Sequence, residues 1–363
     1  MLHELKFSGA EIMYVDAAPV FQQKGCELTV VAGAPNLGEY APYFKRAGYN
    51  VIHRPFPSLK NYLARLKYYR RFIKYLKEES FDVVHIHSHG SMWGMSMCAW
   101  IAGKRSVYTF HNVFPTSWYS YFYHCLKRWS AKNIFKCKFQ TISDSVYDHE
   151  LKLYGNKTTK LYNWYGSNRF FPAKMNEKHE LRKELGIPDD TLVLISIGGC
   201  SDIKRHHHII RAIPHIVSQQ PKLLYLHLGS GDIEEEEKKL ADKIGVAKYV
   251  RFCSNQQNVR KYLVASDIYL MPSKFEGISI TTIEAMACNI PTILYDVPGL
   301  RDFNEKGENS ILIPADYKLL AEKTLFLHKH PEVALEMIEN ARGMVHEYYD
   351  MEKNATKIYN LYL

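Results

Sequence analysis

Short apolar runs alternate with amphipathic stretches along nearly the whole chain. In the first half, residues 27–32, 50–54, 82–87, 105–110 and 139–142 have the length and composition of strands, and residues 59–76 carry apolar positions at helical spacing. After Phe170-Phe171-Pro172-Ala173 the alternation restarts, with strands predicted at 192–197, 223–228, 249–252, 267–271 and 292–295. Strands that alternate with helices build parallel sheets covered on both faces, because a parallel crossover needs a helix. The pattern therefore predicts an α/β protein of two doubly wound, Rossmann-like domains facing across a cleft. They span residues 1–170 and 171–349, and a last helix in 350–363 is expected to cross back to the first domain. Only about five residues precede a glycine-containing loop at Gly9, fewer than a feeding strand normally needs, so the first strand is expected to be curtailed.

Composition narrows the class. With 363 residues, 46% hydrophobic and 23% charged, the chain has material for two separate cores. It has no apolar run of about 18 residues, which argues against a helical membrane span, and residues 1–6 lack the apolar stretch of a signal peptide. Seven scattered cysteines with no C-x-x-C pair fit a reducing cytoplasm and argue against a disulfide framework or a structural zinc site. Charge is uneven: residues 1–175 hold 24 Lys and Arg against 11 Asp and Glu, and the remainder 23 against 27. An anionic partner is thus to be sought on the first half.

The most informative motif runs from Glu276 to Ala287, where two carboxylates, Glu276 and Glu284, stand eight positions apart across a predicted strand-to-helix junction. Pro272 and Ser273 end the strand, Gly277 permits a tight loop, and residues 279–288 have helical spacing. Free amides near Ile278, Ser279 and Ile280, with the positive end of the helix dipole, suit a diphosphate. The two carboxylates suit hydroxyl donors, so the pattern fits a ligand carrying both phosphates and sugars. The plainer alternative is that Glu284 bonds a neighbouring loop and Glu276 is solvated. Ligands of doubly wound sheets lie at the carboxyl ends of the strands, a rule that also selects His111, Gly9 and Lys204.

These residues resemble the retaining glycosyltransferases of family 4, of two-domain GT-B architecture, common in bacterial capsule, exopolysaccharide and lipopolysaccharide assembly. Residues 276–291 match the family's E-x7-E segment, and weaker matches are Ser8-Gly9-Ala10-Glu11, residues 82–87, Leu161-Tyr162-Asn163 and Leu228-Gly229-Ser230-Gly231. The resemblance implies that Glu284 holds the ribose of a nucleoside diphosphate, Glu276 the donor sugar and Lys204 the diphosphate. Gly9, Gly199, Arg205, Gly277 and the amides of Ile278, Ser279 and Ile280 would complete the donor site. His111 would lie beside the reacting sugar, and catalysis would fall to His111, Glu276 and Lys204. It implies front-face displacement from a nucleotide sugar, most simply a UDP-sugar, to a lipid-linked or oligosaccharide acceptor. No cofactor is expected, and with no Asp-x-Asp motif no metal either. The chain departs from the family at Gly199, where an arginine is usual; Arg205 is a candidate substitute.

Rival readings remain beside this one: a GT-B epimerase or phosphorylase, or a degenerate sugar-binding subunit. His85, His87 and His89 alternate as on one strand face, yet no second set of ligands is evident nearby, and His206, His207 and His208 open a helix, point in different directions and are expected to be solvated or capping residues. Two basic aromatic stretches, 59–77 and 118–138, read either as crossover helices with a solvated face or as surfaces for an anionic membrane, which would make the protein peripheral on the inner face of the cell membrane. No nucleic-acid recognition motif accompanies the charge.

Overall fold

The structure, a computed structural model, describes residues 1–58, 61–113 and 118–363. Leu59 and Lys60 of the first basic stretch, and the side chains of His89 and Trp118, lie outside the described residues. The chain divides into two compact units, Met1–Trp164 with Met351–Leu363, and Tyr165–Asp350.

The first unit contains β1 (Thr29–Ala32), β2 (Asn50–His53), β3 (Val83–Ile86), β4 (Arg105–Phe110), β5 (Lys138–Thr141) and β6 (Thr159–Lys160). All pair in parallel, in two pieces: β1 with β2, and β3-β4-β5-β6 in that order. Met1 and Leu2 lie between the pieces. The Leu2 amide donates to Val31 O (3.0 Å) on one side, and the His87 amide donates to Met1 O (3.0 Å) on the other. The helix Met351–Tyr362 packs on the helix Ala18–Gln23 and on β4 of this unit. Its Tyr362 hydroxyl donates to His85 Nδ1 (2.7 Å), and His85 Nε2 donates to Thr109 Oγ1 (2.7 Å), which donates to Gln140 Oε1 (2.7 Å). One chain of hydrogen bonds therefore ties the last helix to three strands, and it fixes His85 as a neutral imidazole protonated on Nε2.

The second unit contains β7 (Leu192–Ile197), β8 (Leu223–Leu228), β9 (Val250–Phe252), β10 (Ile268–Met271), β11 (Thr292–Tyr295) and β12 (Ile311–Ile313), ordered β12-β11-β10-β7-β8-β9 and parallel throughout. Every residue of β7, β10 and β11 is buried, because helices cover both faces of an inner parallel strand. Sequence reading missed β6 and β12: one is a two-residue polar strand, the other a three-residue run too short to carry a period. The strand order is the Rossmann order, in which the direction of winding reverses between β7 and β10.

A carboxylate staples that reversal from below. Asp267, just before β10, accepts from the Val193 amide of β7 (2.7 Å), from Arg182 Nη2 (2.7 Å) and from Lys178 Nζ (2.7 Å). The Arg182 side chain, 5% exposed, also donates to the carbonyls of Ala265 (3.0 Å) and Asp189 (2.8 Å). Removing one partner of a buried ion pair leaves the other charge uncompensated. Asp267→Ala is expected to lower stability by roughly 3 kcal/mol, read as the shift in urea midpoint of the second unit's transition. An unchanged midpoint would show that Arg182 finds enough carbonyls without the carboxylate.

Candidate functional site

The loops after β7 and β10 leave the second sheet side by side because their strands are neighbours at the reversal. The first, from Gly198 to Arg205, carries Lys204; the second carries Glu276. Lys204 Nζ donates to Glu276 Oε1 (2.7 Å), which also accepts from Ser273 Oγ (2.6 Å). The side chains are 23% and 13% exposed, so the pair is sheltered but reachable. Backbone bonds from the Lys274 amide to Ile203 O (2.7 Å) and from the Glu276 amide to Pro298 O (3.0 Å) fix the second loop against its neighbours.

Glycines bring the loop backbones together. Gly229, at φ +131°, approaches Gly198 so closely that a Cβ there would stand 2.0 Å from Gly198 O, so no side chain is accommodated. Gly231 abuts Cys200 O in the same way, with a 2.4 Å approach. A Cβ on Gly198 would meet Lys204 Cε at 3.2 Å, which shows that the aliphatic stem of Lys204 lies across the bare backbone of Gly198. Gly199 faces Ser230 O. Arg205 adopts the left-handed conformation at φ 53° and caps the helix His206–Val217. Its charge acts on Tyr295, His207 and His208, whereas Lys204 pairs with Glu276 and its charge also reaches His206.

The helix Ile280–Ala287 begins one residue after Ser279, whose Oγ accepts from the Thr282 amide (3.3 Å). Tyr269 on β10 donates to Thr281 Oγ1 (2.8 Å), which donates to Ile197 O at the end of β7 (3.2 Å), so the helix start is tied to both strands. Among the described residues, the amides of Ile278, Ser279 and Ile280 donate to no protein acceptor. Gly277 occupies the loop just ahead of them. Glu284 lies in the second turn, 7% exposed.

Sequence reasoning missed one constellation here. Cys200, His206, His227 and Glu237 are all buried and turn one ligand atom each toward a common centre, with those atoms within 4.8 Å of one another. The expectation of solvated or capping histidines fails for His206, which is fully buried; His207 and His208 behind it are half-buried. Tertiary contact between separate elements is the reason, and a spacing of C-x5-H-x20-H-x9-E gave no warning.

In the first unit, Gly9 is the first residue of the helix Gly9–Asp16 rather than part of a loop, and Ser8 is its N-cap. Ser8 Oγ donates to the Glu11 carboxylate, and among the described residues the Gly9 and Ala10 amides have no protein partner. His111 follows β4 directly, and its Nε2 lies 2.9 Å from Nδ1 of His87, the residue after β3. His85 and His87 are engaged by Tyr362, Thr109 and His111 rather than gathered around a common ligand point. Burial holds His111 down to about 4, and burial with neighbouring positive charge holds His85 and His87 well below the usual imidazole value. Between the ordinary value of about 6.5 and 4, the unfolded chain binds protons that folded His111 refuses, so stability falls as pH falls through that window. His111→Asn should flatten the slope of urea midpoint against pH between 7 and 5. An unaltered slope would mean that this imidazole titrates normally.

The model described as Glycosyltransferase Family 4 matches residues 7–198, and that described as Glycosyl transferases group 1 matches residues 177–344. N-acetyl-alpha-D-glucosaminyl L-malate synthase of Bacillus anthracis is 28% identical over 59% of this chain, which spans 55% of that protein's length. Alpha-monoglucosyldiacylglycerol synthase of Acholeplasma laidlawii is 24% identical over 98% of the chain and 93% of its own length. HepE of Anabaena, crystallised with UDP and glucose, superposes with a TM-score of 0.84 over 99% of this chain and 97% of its own, at 18% identity. The family 4 match alone covers more than half of the sequence, and the parallel α/β units match known GT-B structures: the chain belongs to glycosyltransferase family 4 and is a glycosyltransferase of GT-B fold.

Proposed function

We propose that the protein transfers a hexose from a UDP-sugar, with retention at the anomeric carbon, to a lipid-linked or growing cell-surface glycan. The observation that carries this reading is the Lys204–Glu276 pair at the strand-order reversal, beside a helix start whose first amides have no protein partner among the described residues. In this reading the diphosphate displaces Glu276 as the partner of Lys204 and rests on the amides of Ile278 to Ile280. Glu276, released, accepts from donor-sugar hydroxyls, and Glu284 accepts from the ribose. The acceptor hydroxyl attacks the anomeric carbon from the face that UDP leaves, and the departing β-phosphate oxygen takes its proton. Charge developing on that oxygen is neutralised by Lys204 and the amides, and His111 borders the sugar. The UDP in the HepE complex supports a uridine donor, and the name of the Acholeplasma relative supports a lipid acceptor. The sequence has no Asp-x-Asp pair, and transfer is proposed to proceed without added Mg²⁺ or Mn²⁺.

Because the Lys204 stem is seated on Gly198 and its ammonium faces Glu276, Lys204→Ala is expected to reduce turnover about a hundredfold, roughly 3 kcal/mol, and Arg205→Ala far less. Glu284→Ala should weaken UDP binding by roughly 1.5–3 kcal/mol in calorimetry, while Glu276→Ala spares UDP and impairs the reaction. Equal losses from Lys204→Ala and Arg205→Ala, or unchanged UDP affinity in folded Glu284→Ala, would sink these assignments. Incubation with a panel of nucleotide sugars, followed for hydrolysis and transfer, separates a transferase from an epimerase or a binding subunit.

The same reading places the first unit on an anionic membrane. No helix among the described residues is long and apolar enough to cross one. The helix Trp118–Asn133, however, presents Tyr119 (90% exposed), Phe122 (68%), Tyr123, Leu126 and Trp129 at positions that recur on one face. The apolar stripe expected from Leu63 to Leu76 is split: Phe72 and Leu76 are buried, but Leu63 (80% exposed) and Leu66 are open. Only the later turns of the helix Tyr62–Glu78 are covered, with Tyr69 and Tyr75 joining the buried face. Both helices pack on the helix Met92–Ile101, so their uncovered faces flank one element. Exposed Arg70, Arg71 and Lys74 accompany them. Rings that sink among headgroups, with cations each contributing about 1 kcal/mol toward anionic lipid, suffice for attachment that salt weakens. The protein should sediment with anionic vesicles at low salt, and not with neutral ones or at high salt. Retention in the supernatant throughout, or binding unchanged by replacing Arg70, Arg71 and Lys74 with Glu, would overturn this docking.

A further inference from the structure

The four side chains beneath the Gly198–Lys204 loop come from four places: Cys200 from the loop itself, His206 from the first turn of the helix His206–Val217, His227 from β8, and Glu237 from the first turn of the helix Glu234–Lys243. They are 1%, 0%, 0% and 2% exposed. His227 Nε2 lies 2.6 Å from His206 Nδ1, 3.4 Å from Glu237 Oε2 and 3.7 Å from Cys200 Sγ, and His206 Nδ1 lies 3.8 Å from Glu237 Oε1. Among the described residues, neither Glu237 oxygen has a hydrogen-bond partner in good geometry; the thiol and the two rings are what face it. A buried carboxylate left in that state is costly unless a cation meets it.

We propose that this cluster is a structural site for a thiophilic divalent cation, zinc foremost, bound by Cys200 Sγ, His206 Nδ1, His227 Nε2 and Glu237. Zinc bonds of about 2.0–2.3 Å at tetrahedral angles separate neighbouring ligand atoms by roughly 3.3–3.6 Å. Three of the four separations above lie within a few tenths of an ångström of that range. Of these four, the His206–His227 separation is the one that falls short, by roughly 0.7 Å, so the two imidazoles part to admit the ion. Charge agrees as well: thiolate, carboxylate and two neutral imidazoles around a doubly charged ion sum to zero, which suits a site shut off from water. Mixed sulfur and imidazole ligands select zinc over magnesium or calcium. Four protein ligands leave no open position, so the ion is structural and does not bear on the proposed metal-independent transfer. Among the described residues, the outer nitrogens His206 Nε2 and His227 Nδ1 have no hydrogen-bond acceptor of the kind that usually strengthens such imidazoles, which sets the affinity below that of fully supported sites. In its place the ion joins the loop that presents Lys204 to β8 and to the helix Glu234–Lys243.

The test reads the metal, not the reaction. Untagged protein, purified without chelator, should carry about one equivalent of zinc by mass spectrometry. After the zinc is stripped, titration with Co²⁺ should give the intense visible bands of a tetrahedral site together with thiolate-to-cobalt charge transfer. Cys200→Ser should abolish the charge transfer, and Glu237→Gln should weaken Co²⁺ uptake at least tenfold. His207→Ala, one residue from the site but outside it, should retain both signals. Should either ligand variant fail to fold, the wild-type Co²⁺ spectrum still decides. Substoichiometric zinc with no tetrahedral cobalt spectrum, or a spectrum lost in His207→Ala and kept in Cys200→Ser, would overturn the proposal and leave the cluster as a buried hydrogen-bonded network.

Discussion

At the centre of the six-stranded sheet the winding reverses between β7 and β10, and the rest of the second unit's chemistry follows from that geometry. Two loops emerge from neighbouring strands and meet, the Lys274 amide of one donating to Ile203 O of the other. The strand positions are set by burial on both faces, and their alignment is held at the lower end by Asp267, which accepts from a β7 amide and from a nearly inaccessible arginine. At the upper end the Tyr269–Thr281–Ile197 relay ties the helix start to both strands. A cation on one loop and a carboxylate on the other then meet at 2.7 Å without any long-range search.

Rigidity in this region comes from missing side chains as much as from contacts. Gly229 and Gly231 let the loop after β8 press against the loop after β7 at distances that a Cβ would forbid, and the bare backbone of Gly198 makes the bed for the Lys204 stem. Beneath them lies the Cys200 cluster, polar and closed to water. The loop that presents Lys204 to Glu276 is thus supported from the side by glycine contacts, and its Cys200 meets the buried side chains of His206, His227 and Glu237.

The two units divide the physical work differently. The second has a continuous sheet, a nearly balanced charge and the Lys204–Glu276 pair at its strand-order reversal. The first has a sheet in two pieces joined through Met1 and Leu2, a strong excess of Lys and Arg, and a helix that leaves aromatic rings in solvent. Exposed aromatic and basic groups together on one surface are unusual for a face meant only to be wet.

Periodicity alone determined the α/β class, because parallel strands buried on both faces read as unbroken apolar runs. Each strand read from those runs is present to within two residues, as at Leu192–Ile197 and Thr292–Tyr295, and β6 and β12 escaped because they are too short to carry a pattern. The helix after Glu276 was legible for the same local reason: a proline, a glycine and a capping serine punctuate it. Pairing was not legible. Nothing in the sequence says that Lys204 meets Glu276 while Arg205 points its charge elsewhere; that was decided by the left-handed turn at Arg205 and by the strand order. Nor does the sequence reveal that Leu63 stays in solvent while Phe72 is buried on the same helix. The cluster of Cys200, His206, His227 and Glu237 is the clearest case. Its members lie on four separate elements, and ligand geometry is a property of distances across a fold, which only the packing of β7 against β8 and of two helix starts above them supplied.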